Sequence, residues 1–130
     1  MADETKAMRP RKVLIGIGYH LPEGRKGFMH SANKFPVFFY LRKKRFPDVL
    51  GEFMFDSNGQ YPICEELDED VSSLTLSGIL VSSISSRYYQ FHPAVRLSYE
   101  RLAQEISPEQ ARDLAQIARE FGQANIFNLR

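Results

Sequence analysis

Ile63, Leu67, Val71 and Leu74 recur at intervals of four, four and three, which lays them along one face of a 3.6-residue helix. Glu65, Asp68, Glu69, Ser72 and Ser73 fall on the opposite face. Gly78 follows as a natural stop, because glycine takes left-handed angles without a Cβ clash. Beyond it, Ile79-Leu80-Val81 and Tyr88-Tyr89-Gln90-Phe91 are β-prone runs around the polar stretch Ser82–Ser86, which predicts a hairpin with a serine-rich tip. Alternate spacing sends Tyr89 and Phe91 inward and leaves Tyr88 for the surface.

The same patterning organises the rest of the chain. Val13, Leu14, Ile17 and Leu21 predict a short amphipathic helix that Pro22-Glu23-Gly24 breaks. A second helix is expected from near Ser31 to Arg45, with Phe35, Phe38, Phe39 and Leu41 buried. Pro36 either starts it at Phe35-Pro36 or bends its first turn. Pro47 ends that helix, and Gly51 leads into a strand over Glu52–Phe55 before the turn Asp56-Ser57-Asn58-Gly59. Pro93 starts a helix carrying Val95, Leu97, Tyr99, Leu102 and Ile106. Ser107, Pro108 and Gln110 form a capping box with an N1 proline ahead of Leu114, Ile117, Ala118 and Phe121, and Gly122 closes this last helix at about 108–121. Ala124, Ile126, Phe127 and Leu129 make an apolar tail that docks on its own domain or pairs two copies.

These elements predict an α+β, mainly helical chain: a winged helix-turn-helix with a two- to three-stranded ribbon and an added C-terminal helix. Residues 1–9 form a flexible basic arm and 10–130 a single domain, a size that buries a real core. An apolar content of 43%, with ten Phe and six Tyr, is that of a globular protein. No apolar run approaches the roughly 18 residues of a membrane span. No signal-peptide pattern opens the chain, and the one cysteine, Cys64, suits a reducing compartment, so a soluble cytoplasmic protein is expected.

Charge changes the picture. Residues 1–45 hold eleven Lys or Arg against three acids, residues 46–86 hold eight acids and no Lys or Arg, and the remainder is six against five. This split fits attraction between two copies, a basic face toward nucleic acid, or charges satisfied within one fold. The helix that faces DNA in a winged helix here carries Glu65, Glu66, Asp68, Glu69 and Asp70. Those acids suit the positive end of a helix dipole and a solvated surface, and they repel phosphate.

Chemistry for catalysis is thin. His20, His30 and His92 are scattered, and a single cysteine does not complete a zinc site. A Cys64–His92 nucleophile pair would have its thiolate opposed by Glu65 and Glu66. Gly16-Ile17-Gly18 and Gly24–Gly27 lack phosphate-loop spacing, and the acids of 65–70 lack the calcium-loop arrangement. No enzyme activity, cofactor or metal is expected.

Several short motifs carry a resemblance: Gly24-Arg25-Lys26-Gly27, Asn33-Lys34-Phe35 with Phe38-Phe39, Phe53-Met54-Phe55, and Gly59-Gln60-Tyr61-Pro62. They continue through Leu67, Val71 and Leu74 to Ser77-Gly78-Ile79-Leu80, Arg87-Tyr88-Tyr89 and the Pro93 helix. Over residues 10–121 the succession resembles the small bacterial and archaeal winged-helix proteins related to the Panacea (SocA-like) antitoxin domain. It departs at the turn before Cys64, which lacks the family's serine cap, and at Pro36. The resemblance implies regulatory or adaptor work, not catalysis.

Two function classes follow. As a protein-interaction module (adaptor, antitoxin or regulatory subunit) the chain would present Glu65, Asp68, Glu69 and Tyr88 to a protein partner. As a transcriptional regulator it would hold double-stranded DNA through phosphate contacts from Arg9, Arg11, Lys12, Arg25, Lys26, Lys34, Lys43, Lys44 and Arg45, with Arg87 reaching from the wing.

Overall fold

The computed structural model describes residues 6–31, 34–82 and 88–124. In chain order the elements are α1 (Pro10–His20), β1 (Gly27–Met29), α2 (Phe35–Arg42), α3 (Pro47–Leu50) and α4 (Glu65–Leu76). They continue with β2 (Leu80–Ser82), β3 (Tyr88–Phe91), α5 (Val95–Leu102) and α6 (Pro108–Gln123). The fold is α+β and mainly helical, with one three-stranded antiparallel sheet of order β1-β3-β2.

Helix α1 runs through the centre and packs against α4, α5 and α6. Its Val13, Leu14 and Ile17 have no exposed surface. Close packing is set by two glycines: a Cβ at Gly16 would overlap the Leu114 side chain of α6, and one at Gly18 would overlap the Phe91 ring of β3. This is the role of the Gly16-Ile17-Gly18 run, and it is steric. Around α1 lies an aromatic core. Phe28 stacks on Phe35 at 5.0 Å between centroids, Phe39 on Phe53 at 5.4 Å, and Phe121 meets Phe28 edge-on at 5.6 Å. Such pairs add about 0.5–1.5 kcal/mol each beyond the area they bury.

The hairpin forms as expected, with Leu80 opposite Phe91 and Ser82 opposite Tyr89. Leu80 and Phe91 are buried, Tyr89 packs half-buried against the core, and Tyr88 is half-buried beside Gly27. The third strand is β1, pairing Gly27 with Gln90 and Met29 with Tyr88. It replaces the strand expected over Glu52–Phe55. That segment has no ladder partner among the described residues: Phe53 is locked into the aromatic core, its carbonyl accepts a hydrogen bond from Lys43 Nζ at 2.6 Å, and an isolated bridge joins Asp56 to Ile63.

Other expectations are corrected by the lengths of the helices. Helix α2 starts at Phe35 with Pro36 in its first turn and stops at Arg42, and Pro47 opens α3. Leu41, expected in the core, is 68% exposed because Phe35, Phe38 and Phe39 define the other face. Leu97 is exposed for the same reason, since α5 buries Val95, Tyr99 and Leu102. Ile63 precedes α4 and is exposed, and Ile106 is half-buried beyond α5. The capping box of α6 is present, Ser107 Oγ accepting from the Gln110 N–H at 3.0 Å, and the helix runs one residue past Gly122.

The arm expected to be flexible over residues 1–9 is fastened at its end. Met8 is buried and donates its N–H to the Val49 carbonyl, and the buried Gln110 amide donates to the carbonyls of Lys6 and Asp48. The serine-rich tip with Arg87, Asn33, and the apolar tail expected to support a homodimer at Ile126, Phe127 and Leu129 lie outside the described residues. No helix among the described residues is long and apolar enough to cross a membrane.

Candidate protein-interaction site

Helix α4 is held by three buried residues, Leu67, Val71 and Leu74, and stopped by Gly78 at φ +86°. With that face fixed inward, Glu65, Asp68, Glu69, Ser72 and Ser73 are exposed, as the spacing requires. Three acidic side chains fall in the first turn, where exposed amides carry partial positive charge.

Most of the cations expected to meet phosphate are engaged within the fold. Arg9 Nη2 pairs with Glu66 Oε2 at 2.6 Å, which holds the guanidinium more firmly protonated. Arg11 Nη1 donates to Ser73 Oγ at 3.1 Å, and Lys12 Nζ pairs with Glu105 at 2.8 Å. Lys26 Nζ donates to the Gly18 and Tyr19 carbonyls, capping the end of α1. Lys43 holds the Phe53 carbonyl, and Arg45 pairs with Glu120. The side chains of Arg25, Lys34 and Lys44 are exposed and make no hydrogen bond or ion pair among the described residues.

A groove of about 770 Å³ opens beside the first two turns of α4, within the roughly 300–1,000 Å³ range of ligand sites. Glu65, Glu66, Glu69 and Asp70 line it from the helix. Across from them stand Met54, Phe55, Asp56 and Ile63, and Arg9 enters at one side. The far wall is positioned by the Asp56–Ile63 bridge, closed by hydrogen bonds of 2.8 and 2.9 Å, and by the turn in which the Asn58 N–H donates to Asp56 Oδ1. Met54 is 74% exposed and Ile63 41%. Five carboxylates thus surround one guanidinium and an apolar strip.

Asp70 reports the imbalance. Burial and then the Glu66 charge push its carboxyl above the usual aspartate range, against the opposing pull of the Arg11 N–H and the charges of Arg11 and Arg9. Its Oδ2 is shielded from solvent without a hydrogen-bond donor. Of the acids expected to form the interaction surface, Glu65 and Glu69 line the groove. Asp68 does not: it accepts from His30 Nε2 at 2.9 Å. Tyr88 is likewise outside the groove, half-buried on the sheet. Met54, Asp56 and Ile63 were not marked by the sequence as site residues. The turn signal at Asp56–Gly59 was the available clue, because a reversal there brings Asp56 back onto Ile63 at the start of α4.

Cys64 is buried at the N-cap of α4, and burial pushes its thiol up, away from the reactive thiolate. His92 Nδ1 accepts from the Ala94 N–H and is not hydrogen-bonded to Cys64. No cluster of three or more His, Cys, Asp or Glu among the described residues is arranged to hold a metal ion. Comparison with known proteins returned no matching family model, curated protein or solved structure.

Proposed function

We propose that this chain is a non-enzymatic, cytoplasmic winged-helix module that works by protein–protein interaction, as an adaptor, antitoxin or regulatory subunit of the kind related to the Panacea domain. The order α1-β1-α2-α3-α4-β2-β3, with β1 against β3, supports the winged-helix assignment. In that arrangement α4 occupies the place of the DNA-reading helix.

One observation carries the functional reading. The exposed face of α4 keeps Glu65, Asp68 and Glu69 in solvent, while Arg9, Arg11, Lys12, Lys26, Lys43 and Arg45 already make hydrogen bonds or ion pairs with other residues of the chain. Of the cations expected to meet phosphate, a DNA-binding regulator would be left with Arg25, Lys34 and Lys44 unpaired among the described residues, against an acidic helix. Duplex affinity depends on the number of phosphates neutralised, so this is a poor electrostatic match.

The test is site-specific photo-crosslinking in cells. A photoreactive residue at Ser72, on the exposed face of α4 and outside the groove, is expected to capture a discrete protein, whereas the same residue at Arg112 on α6 captures none. Crosslinks to nucleic acid at Ser72, or none to protein, contradict the proposal.

A further inference from the structure

We infer that the groove between α4 and the Met54–Ile63 segment docks a basic segment of the partner protein, one that presents an arginine or lysine beside an apolar side chain. This deepens, and rests on, the interaction-module reading of α4. Charge complementarity sets the occupant. Glu65, Glu69 and Asp56 line the groove, and among the described residues no cation is paired to them. An incoming guanidinium or ammonium supplies donors to such oxygens, and charge-assisted bonds of this type are the strong ones.

The second requirement is apolar. Met54 and Ile63 hold their side chains in solvent along the wall opposite the acids. Met adapts its shape to an irregular apolar partner, so one apolar side chain of the segment has a seat beside the cation. A duplex offers the opposite charge to such a segment, phosphate against carboxylate.

The groove already displays its chemistry in one contact. Arg9 lies at its edge on Glu66, with its side chain still 63% exposed. It neutralises one carboxylate and leaves the others. Because Arg9 shares the site with the incoming cation, its removal favours the ligand.

The experiment is a fluorescence-anisotropy titration with a capped, fluorescein-labelled peptide in which arginines flank a leucine. Two control peptides carry citrulline for arginine or serine for leucine. Saturable binding is expected, weakened about tenfold or more by the double variant Glu65→Gln/Glu69→Gln and about fivefold by Met54→Ser. Both controls should bind more weakly, and Leu76→Ser, elsewhere on α4, should change nothing. All substituted residues are exposed, so unchanged thermal melting shows that the variants fold. Absence of binding, or binding that survives the groove variants, overturns the groove assignment. The Ser72 crosslink stands apart from it: a protein captured there with no peptide bound leaves the interaction module and removes the groove.

Discussion

Two carboxylate sites in this molecule carry the same groups with opposite balance. At Glu120, on α6, one carboxylate meets two guanidiniums and an amide: Arg42 Nε donates at 2.7 Å, Gln116 Nε2 at 3.0 Å, and Arg45 adds a second ion pair. Arg42 also lies 3.9 Å above the Phe38 ring, and Arg45 4.6 Å above Phe46. Burial alone would raise the Glu120 carboxyl, but the hydrogen bonds from Gln116, Arg42 and Arg45 reverse this and hold it at about 2. The groove beside α4 is lined by five carboxylates and one cation, Arg9, which pairs with Glu66, and Asp70 moves the other way, upward, through burial and the Glu66 charge. Where opposite charges are matched, the acid fastens helices together. Where they are left unmatched, the fold gains little and the charge faces outward.

The largest effect should come from breaking the matched site. Glu120→Ala leaves Arg42 and Gln116 without their acceptor in a region where the glutamate side chain is only 14% exposed. A loss of about 1–3 kcal/mol is expected in urea unfolding, less than for a fully buried pair. The equivalent change in the groove, Glu69→Ala, should stay within about 0.5 kcal/mol of the parent, as for an ordinary surface substitution. Equal losses at the two positions would break the comparison.

Acid titration should separate the sites by sign. Glu120 has its folded pKa below the ordinary 4.5, so its stabilisation is present above pH 4.5 and is lost as the pH falls toward about 2. Asp70 has its folded pKa above the ordinary 3.8, so its ionised form opposes folding near neutrality and protonation relieves that as the pH falls. Asp70→Asn should therefore raise stability at pH 7, by no more than about 1 kcal/mol given the partial burial. Urea midpoints for both variants from pH 7 to pH 3 check the two signs, and an Asp70→Asn variant less stable than the parent at pH 7 would contradict the second.

The smallest effect probes the shared cation. Arg9→Ala should leave the melting temperature close to the parent's while tightening the basic peptide about two- to fivefold, the scale of one exposed charge interaction. Weaker peptide binding would show that Arg9 helps to build the groove instead of competing in it.

Much of this arrangement was legible in the sequence because period carries burial. The spacing of Leu67, Val71 and Leu74 fixed α4 and thereby which acids face water, and Ser107 with Gln110 located the start of α6. Strand β1 was not legible: three residues beside a Gly/Lys-rich turn are too few to show alternation, and the pairing that makes Gly27–Met29 a strand comes from Tyr88–Gln90, some sixty residues on. Leu41 was misplaced because an apolar residue in a short helix need not face the core. The pairing of Arg9 with Glu66, 57 residues apart, is likewise tertiary. The charge split was visible from the start. Its cause, a basic segment lying against an acidic helix, required the fold. The groove was half visible, its acids through periodicity and its apolar wall only once Asp56 was seen to meet Ile63.

The most direct test of the unmatched acidic face is a titration of this chain against a labelled mixed-sequence DNA duplex at about 50 and 200 mM salt. The account predicts no binding at either concentration, because α4 repels phosphate and most of the cations are engaged internally. Tight binding at the lower salt that falls by orders of magnitude at the higher, and disappears when Arg25, Lys34 and Lys44 become Ala, would contradict it.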